Sequence, residues 1–372
     1  MNACPAEIGM AVADVDTPAM IVDIDAFQRN LRRLMDLTEG SGVLVRPHAK
    51  THKSSTIGKM QMEAGAVGVC CQKVGEAEAL VAGGVSDVYV SNQVVGRRKL
   101  DRLARLAGRC RLAVAVDNPD NVAALAEAMA THGATIDVLV EIDVGAGRCG
   151  TRSIPQSVAL AEAIARHPGL RLRGIHAYHG RAQHIIDYAE REREIQAAAD
   201  LSRATAEAIA AKGITVDIIS GAGTGTFLFE AGSGVYNEIQ AGSYLFMDRS
   251  YREIEDEAGR PVPTFEQSLF ILTTVMSVPE PGVAVVDAGL KAFSVDSGMP
   301  VVADDETIRV ARASDEHGGL VLPEGRTLAL GEKIRLIPGH CDPTINLHEW
   351  YVCVRDGVVV DLWPVDARGA FF

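Results

Sequence analysis

Three stretches of this chain hold side chains of the kinds that do chemistry. RPHAKTHK (46–53) puts Arg46, Lys50, Lys53 and two histidines, His48 and His52, into one short segment. SGVLV (41–45) before it has the pattern of a strand and SSTIGKMQMEAG after it the pattern of a helix, so Lys50 falls at a strand's C-terminal end. A lysine there, desolvated or set beside other cations, has a lowered pKa and suits Schiff-base formation. SGAGTGT (220–226) offers successive small residues whose backbone N–H groups can cradle an anion, and a second small-residue turn, QAGSY (240–244), follows it. GHCDPTINLHEW (339–350) sets His340 and Asp342 two residues apart on a strand-like segment, so both project to one side. Imidazole plus carboxylate suits a divalent cation such as Mn2+, Zn2+ or Mg2+. Cys341 would face away as packing, and His348 is a candidate third ligand.

The elements that must position these residues follow a regular alternation. Short β-branched runs recur at MIVDI, VLVRPH, VGVCCQ, DVYVSN, RLAVAVD, DVLVEIDVG, LRGIHAYHG and VDIISG, separated by Ala/Leu/Glu/Arg-rich segments with helical spacing. Such alternation is the mark of βαβ units and a parallel sheet, and the number of runs predicts a TIM-like (β/α)8 barrel in an α/β protein. A doubly wound sheet would favour GxGxxG after its first strand, which IVDIDAFQRN lacks. In a barrel, the C-terminal strand ends build the active site. Gln72, Asn92, Asp117, Arg148, Tyr178 and His179 stand there with Lys50 and His48, although Asn92 and Asp117 serve equally as loop caps. Residues 251–372 change to strands separated by Pro/Gly turns, with RDGVV as a hairpin, and predict a mostly β domain after a barrel of residues 1–250. The N-terminal segment is a candidate to join the β domain, and YREIEDEAGRPVP (251–263) a candidate linker.

Bulk properties exclude some functions. A net charge of −13 argues against a large nucleic-acid surface. Seven cysteines without a CxxC pair fit a reducing compartment rather than a disulfide framework. The N-terminus lacks a signal-peptide pattern, and no apolar run approaches a membrane span, so a cytoplasmic location is expected.

RPHAKTHK, AVGVCCQKVGEAEALVAGG, VYVSNQVVG, EIDVGAGRCG, AYHGRAQH, GAGTGT, EIQAGSYLFMD and GHCDPTINLHEW together resemble the D-threonine aldolase and 3-hydroxy-D-aspartate aldolase group of the alanine-racemase-like (fold-type III) pyridoxal-phosphate enzymes, relatives of eukaryotic-type D-serine dehydratase. The resemblance covers nearly the whole chain. It implies an alanine-racemase-like barrel followed by a β domain, pyridoxal 5'-phosphate plus a divalent cation, and a homodimer. By position it implies that Lys50 bonds to the cofactor, that His48 lines the site, and that Arg148 and Tyr178 lie at the ring; Gln72, at a strand end, is a further cofactor-binding candidate. It also implies a phosphate cup from Ser220, Gly221, Gly223 and Thr224 with Gly242, Ser243 and Tyr244. His184 is implied near the substrate hydroxyl, and His340 with Asp342 as the metal pair. Dehydratases of the group carry His-x-Cys there, so Asp342 leans toward the aldolases and toward Mn2+, with Mg2+ or Zn2+ as alternatives. The implied reaction is cleavage of a 3-hydroxy-D-amino acid, D-threonine giving glycine and acetaldehyde. The alternatives are 3-hydroxy-D-aspartate giving glyoxylate, dehydration of D-serine or 3-hydroxyaspartate, and cofactor binding without turnover.

Overall fold

The computed structural model describes residues 4–261 and 264–372. Its first half contains β1 (Ala19–Asp23), β2 (Leu44–Val45), β3 (Val69–Cys71), β4 (Asp87–Gln93), β5 (Arg111–Val116), β6 (Ile136–Glu141), β7 (Leu170–Ala177), β8 (Ile218–Gly221) and β9 (Glu238–Ile239). Strands β2 to β9 form an eight-stranded parallel sheet in the order β2-β9-β8-β7-β6-β5-β4-β3. Regular pairing stops between β2 and β3. There one parallel bridge, His48 to Cys70, and backbone bonds from Val67 N to Val45 O (2.9 Å), Cys70 N to Pro47 O (2.8 Å) and Ala49 N to Cys70 O (2.7 Å) complete the ring.

The two-residue period of a strand sorts the side chains. Cys70, Tyr89, Ala115 and Leu139 form a layer inside the barrel. Their chain neighbours Val69, Cys71, Val88, Val90, Val114, Val116, Val138 and Val140 pack outward, in a cluster shared with helix residues such as Leu100, Leu103, Leu125 and Ile164. Gly174 in β7 lies so close to β8 that a Cβ would stand 1.8 Å from the Ile218 carbonyl oxygen.

One strand differs from the sequence expectation. MIVDI forms β1 and lies outside the barrel: it pairs antiparallel with β10 (Leu269–Glu280) and parallel with a strand at Trp350–Arg355. Apolar residues on both faces suit a strand inside either sheet; the two clusters that take Met20 and Val22 on one side and Ala19 and Ile21 on the other decide the matter. The remaining barrel strand is β9, which is short and carries a charged residue, Glu238, and so left no apolar run.

The second sheet contains β1, β10, β11 (Val283–Val286), β12 (Val301–Val302), β13 (Arg309–Ala313), β14 (Gly318–Val321), β15 (Lys333–Ile337), β16 (Trp350–Arg355) and β17 (Val358–Pro364). Its main path is β13-β14-β11-β10-β1-β16-β17, with β15 beside β10. Asp356 and Gly357 take φ of 49° and 76°, the positive values that a two-residue type I′ hairpin requires. Over the expected linker, Arg249–Arg252 is a short helix with Tyr251 buried and Glu255 bridges to Pro261; Val262 and Pro263 lie outside the described residues. One apolar cluster runs from Val45, Ile57 and Ile239 through Leu245 and Phe246 into Phe293, Leu336 and Tyr351, so the β domain packs directly on the barrel. Among the described residues no helix is long and apolar enough to cross a membrane.

Arg46, 7% exposed, holds the buried Glu238 and the half-buried Asp87: Nε bonds Glu238 at 2.9 Å and Nη1 bonds Asp87 at 2.6 Å. Removing one member of a buried ion cluster leaves uncompensated charge at a cost of ~3–5 kcal/mol. Arg46→Ala is expected to lower the unfolding free energy by about that amount in urea titrations; a change within about 0.5 kcal/mol would show that the cluster does not hold the ring.

Candidate active site

The chain leaves β2, pairs once more at His48 and turns tightly, with the Lys53 N–H bonded to the Ala49 carbonyl at 2.7 Å. This turn separates the two lysines. Lys50 enters a cavity of about 470 Å3 that it lines with His48, Gln72, Arg148, Tyr178 and Arg181, a volume suited to a small-molecule site. Lys53 is buried in an ion pair with Glu76.

Lys50 Nζ forms an ion pair with the Asp342 carboxylate of the β domain. Here the structure corrects the expected lowering of the lysine pKa. Burial acts in that direction, but the Asp342 charge and hydrogen bond outweigh it, and the ammonium is held above its ordinary value. Burial would likewise raise the Asp342 carboxyl, and Lys50 and His340 pull it far below the ordinary range. His48 is buried; its Nδ1 accepts from the Lys50 backbone N–H at 3.3 Å, and Nε2 lies 2.8 Å from the Gln72 amide and 3.1 Å from Ser91 Oγ. Burial and the Lys50 charge push its pKa well down, so His48 is a neutral prop beneath the Lys50 turn. On the opposite wall the Arg148 guanidinium stands 5.6 Å over the Tyr178 ring, which stacks on His176 at 6.5 Å.

The small-residue loop after β8 is built for close approach. A Cβ on Gly221 would meet the Ala177 carbonyl oxygen at 2.4 Å, and one on Gly223 would meet Gln183 Oε1 at 2.4 Å. Ala222 sits at φ 69°. Gly225 N–H donates to Gln183 Oε1 at 3.1 Å, but among the described residues the N–H groups of Ala222, Gly223 and Thr224 have no acceptor, and the buried Thr224 hydroxyl has no partner. Adjacent N–H groups and an orphaned hydroxyl fit a phosphate. Gly242 brings the second turn onto the Lys50 segment, a Cβ there falling 2.9 Å from the His48 carbonyl oxygen. Two expected cofactor contacts use their side chains elsewhere. The Ser220 hydroxyl donates to Glu238 inside the barrel at 2.7 Å, and Tyr244 is a core residue whose hydroxyl accepts from Gln61 at 3.2 Å. Only their backbones remain available to a phosphate. Ser243 Oγ donates to Asp342 at 3.3 Å.

His340 and Asp342 do not lie on a strand, as their spacing suggested. His340 is the extended residue before a short helix, Cys341–Ile345, and Asp342 is in its first turn, near enough for the His340 charge to help hold the Asp342 carboxyl ionised. His340 Nδ1 is 2.8 Å from Asp296, which leaves Nε2 free, the orientation that a carboxylate gives to a metal-binding histidine. Cys341 is buried as packing, and His348 is tied through Nε2 to the Ala292 carbonyl at 2.8 Å. No group of three or more His, Cys, Asp or Glu among the described residues is placed to hold an ion, so a cation here would have two protein ligands. His184 approaches from the turn Arg181–His184 and its Nδ1 lies 2.9 Å from Ser250 Oγ. Burial, then the nearby His340 and Lys50, lower its pKa, which keeps it neutral at pH 7. Asp248, Ser250, Gln183 and Asp296 were not singled out from the sequence; Asp248 and Gln183 sit inside conspicuous motifs, while Ser250 and Asp296 carry no local signal.

A lysine and a loop of unpaired backbone N–H groups at the mouth of a parallel barrel, faced by a β domain that brings an imidazole and a carboxylate, form a site that fits a phosphorylated aldehyde. The chain belongs to the alanine-racemase-like family of pyridoxal-phosphate enzymes: residues 22–250 match the alanine racemase N-terminal domain and 268–354 the putative serine dehydratase domain. It is 46% identical over 369 residues to a 3-hydroxy-D-aspartate aldolase of Paracoccus denitrificans (strain Pd 1222), covering 98% of this chain and 95% of that one. A D-threo-3-hydroxyaspartate dehydratase of Delftia sp. (strain HT23) is 30% identical over 93% of this chain and 96% of its own length. The crystal structure of D-threonine aldolase from Filomicrobium marinum superposes with a TM-score of 0.97 at 47% identity, covering 100% of each chain. Dependence on pyridoxal phosphate follows from the family.

If Lys50 is the lysine that bonds to the cofactor, borohydride reduction of the holoenzyme and peptide mapping will show a label on Lys50 alone. A label on Lys53 or Lys73 would refute the assignment. Lys50→Ala should abolish turnover.

Proposed function

We propose that this protein uses pyridoxal phosphate and a divalent cation to cleave 3-hydroxy-D-amino acids by retro-aldol chemistry, converting D-threonine to glycine and acetaldehyde. The observation that carries the reading is the ion pair of Lys50 with Asp342, with His184 near enough to feel both charges: an amine that lines the cavity, a hard metal ligand and an imidazole stand close together. Lys50 would hold the cofactor's carbonyl carbon, residues 222–224 its phosphate, and His340 with Asp342 the cation. Pyridoxal phosphate, when bound, supplies an electron-poor ring that takes up the pair released as the Cα–Cβ bond breaks. A divalent cation, when bound, supplies Lewis acidity toward the substrate hydroxyl.

The chain's own residues do the rest. Lys50 must shed the proton that Asp342 now stabilises, and an Asp342 committed to a cation no longer stabilises it. His184, with Nδ1 held by Ser250, presents Nε2 to accept the hydroxyl proton as the aldehyde forms. A proton returned to Cα completes glycine. Cleavage is favoured over dehydration by Asp342 in place of a cysteine, and by greater identity to the aldolases (46% and 47%) than to the dehydratase (30%). His340→Ala or Asp342→Ala should remove nearly all turnover while leaving cofactor absorbance in place. EDTA should inactivate the enzyme and Mn2+ restore it; full activity after thorough chelation would refute the metal's role.

One observation favours 3-hydroxy-D-aspartate, giving glycine and glyoxylate, as a further substrate. Arg181 lines the cavity and has no acidic partner among the described residues, whereas Arg148, which also lines it, lies 3.7 Å from Glu141, and Arg249 is held by Glu253 and the Met299 carbonyl. A charged hydrogen bond to a β-carboxylate is worth ~1.5–3 kcal/mol, or about 10–100-fold. Arg181→Leu should lower kcat/KM for 3-hydroxy-D-aspartate by that factor and leave D-threonine within about threefold. Equal losses on both would remove Arg181 from substrate selection, and ammonia without glycine from wild-type enzyme would overturn the aldolase reading.

A further inference from the structure

We infer that Asp248 is a positioning residue that ties the His340–Asp342 pair and the turn presenting His184 into one unit. The inference rests on the reading of His340 and Asp342 as the metal pair. Asp248 has no exposed surface, and among the described residues it has no ion-pair partner. Each carboxylate oxygen accepts one backbone N–H from a different catalytic segment. Oδ2 accepts from Cys341, the residue between His340 and Asp342, at 3.0 Å. Oδ1 accepts from Tyr251 at 3.1 Å and so caps the short helix Arg249–Arg252.

That helix holds His184 twice. Ser250 Oγ lies 2.9 Å from His184 Nδ1, and the Tyr251 ring packs against the imidazole at 5.4 Å between centroids. Next to Asp248, the Arg249 N–H donates to the Pro338 carbonyl at 3.1 Å. The metal segment is also closed from its other side, because a Cβ on Gly339 would fall 2.3 Å from the Gly298 carbonyl oxygen. Two N–H donors on two separate oxygens require a carboxylate. Asparagine has one carbonyl oxygen, and its NH2 would meet the second N–H as donor against donor. Asp248 therefore sets the position of the imidazole that takes the proton relative to the pair that holds the cation.

The test compares Mn2+ binding with turnover. Holoenzyme is stripped of metal and titrated with Mn2+, free Mn2+ being read by electron paramagnetic resonance, for wild type, Asp248→Asn, Ser250→Ala and His340→Ala. Loss of a residue that orients metal ligands typically costs 10–100-fold in affinity or activity. Asp248→Asn should keep its cofactor absorbance, bind Mn2+ about 10–100-fold more weakly, and turn over more slowly even at saturating Mn2+. Ser250→Ala should bind Mn2+ like wild type but lower kcat, since it loosens His184 alone. Wild-type Mn2+ affinity and kcat in Asp248→Asn, with Mn2+ binding lost in His340→Ala, would overturn the proposal and leave the metal pair standing. Loss of cofactor absorbance in parallel with Mn2+ affinity would also count against it, because the defect would then be global. Wild-type Mn2+ affinity in His340→Ala would overturn the metal-pair reading and this proposal with it.

Discussion

The ion pair between Lys50 and Asp342 is the constraint around which the molecule is arranged. Its partners are 292 residues apart in sequence and come from different domains. The Asp342 side chain is 12% exposed and the Lys50 side chain 36%, so Asp342 gives up most of its hydration to the contact, and both backbones must be held in place for the pair to form. The turn after β2 is fixed by the bonds that close the barrel, the segment 339–342 by Asp248 and by its tight contact with Gly298. The apolar cluster through Leu245, Phe246 and Tyr351 then locks one domain against the other. The same pair sets protonation, holding the lysine charged and the aspartate ionised.

Close backbone approach is the second theme. Gly242 lets the 240–244 turn lie on the His48 carbonyl, and Gly223 packs on Gln183. Gln183 in turn accepts from Gly225 and donates to Thr226 at 2.8 Å, and Thr226 donates to the buried Glu230 at 2.8 Å. The anion cradle and the turn that carries Arg181 and His184 therefore share one buried polar chain. Burial raises the Glu230 carboxyl to about 7.

Much of the site was legible in local pattern because barrels place function at strand ends. Lys50 was found from an apolar run followed by a turn, the anion cradle from small residues after β8, and the imidazole–carboxylate pair from two suitable ligands close together. The reasons attached to them fared unevenly. The lysine pKa moves opposite to the expectation, because a distant carboxylate outweighs desolvation. His340 and Asp342 stand at the start of a short helix rather than on one face of a strand. Ser220 and Tyr244 were assigned from their neighbours in the chain, yet Glu238 and Gln61 claim their hydroxyls.

The chain's own sequence determined its period-two strands, its helical connectors, its Asp-Gly hairpin and the residue types at the strand ends, all properties of neighbours along the backbone. It could not determine that MIVDI leaves the barrel for the second sheet, or that the two-residue strand at Glu238–Ile239 takes its place, since a run that is apolar on both faces is compatible with either sheet. Nor could it show which carboxylate faces Lys50, which oxygen of Asp248 reaches Cys341, or that among the described residues Arg181 has no acidic partner while Arg249 is held. Those facts depend on contacts between residues far apart in sequence, where burial and electrostatic partnership are decided only once the two domains pack together.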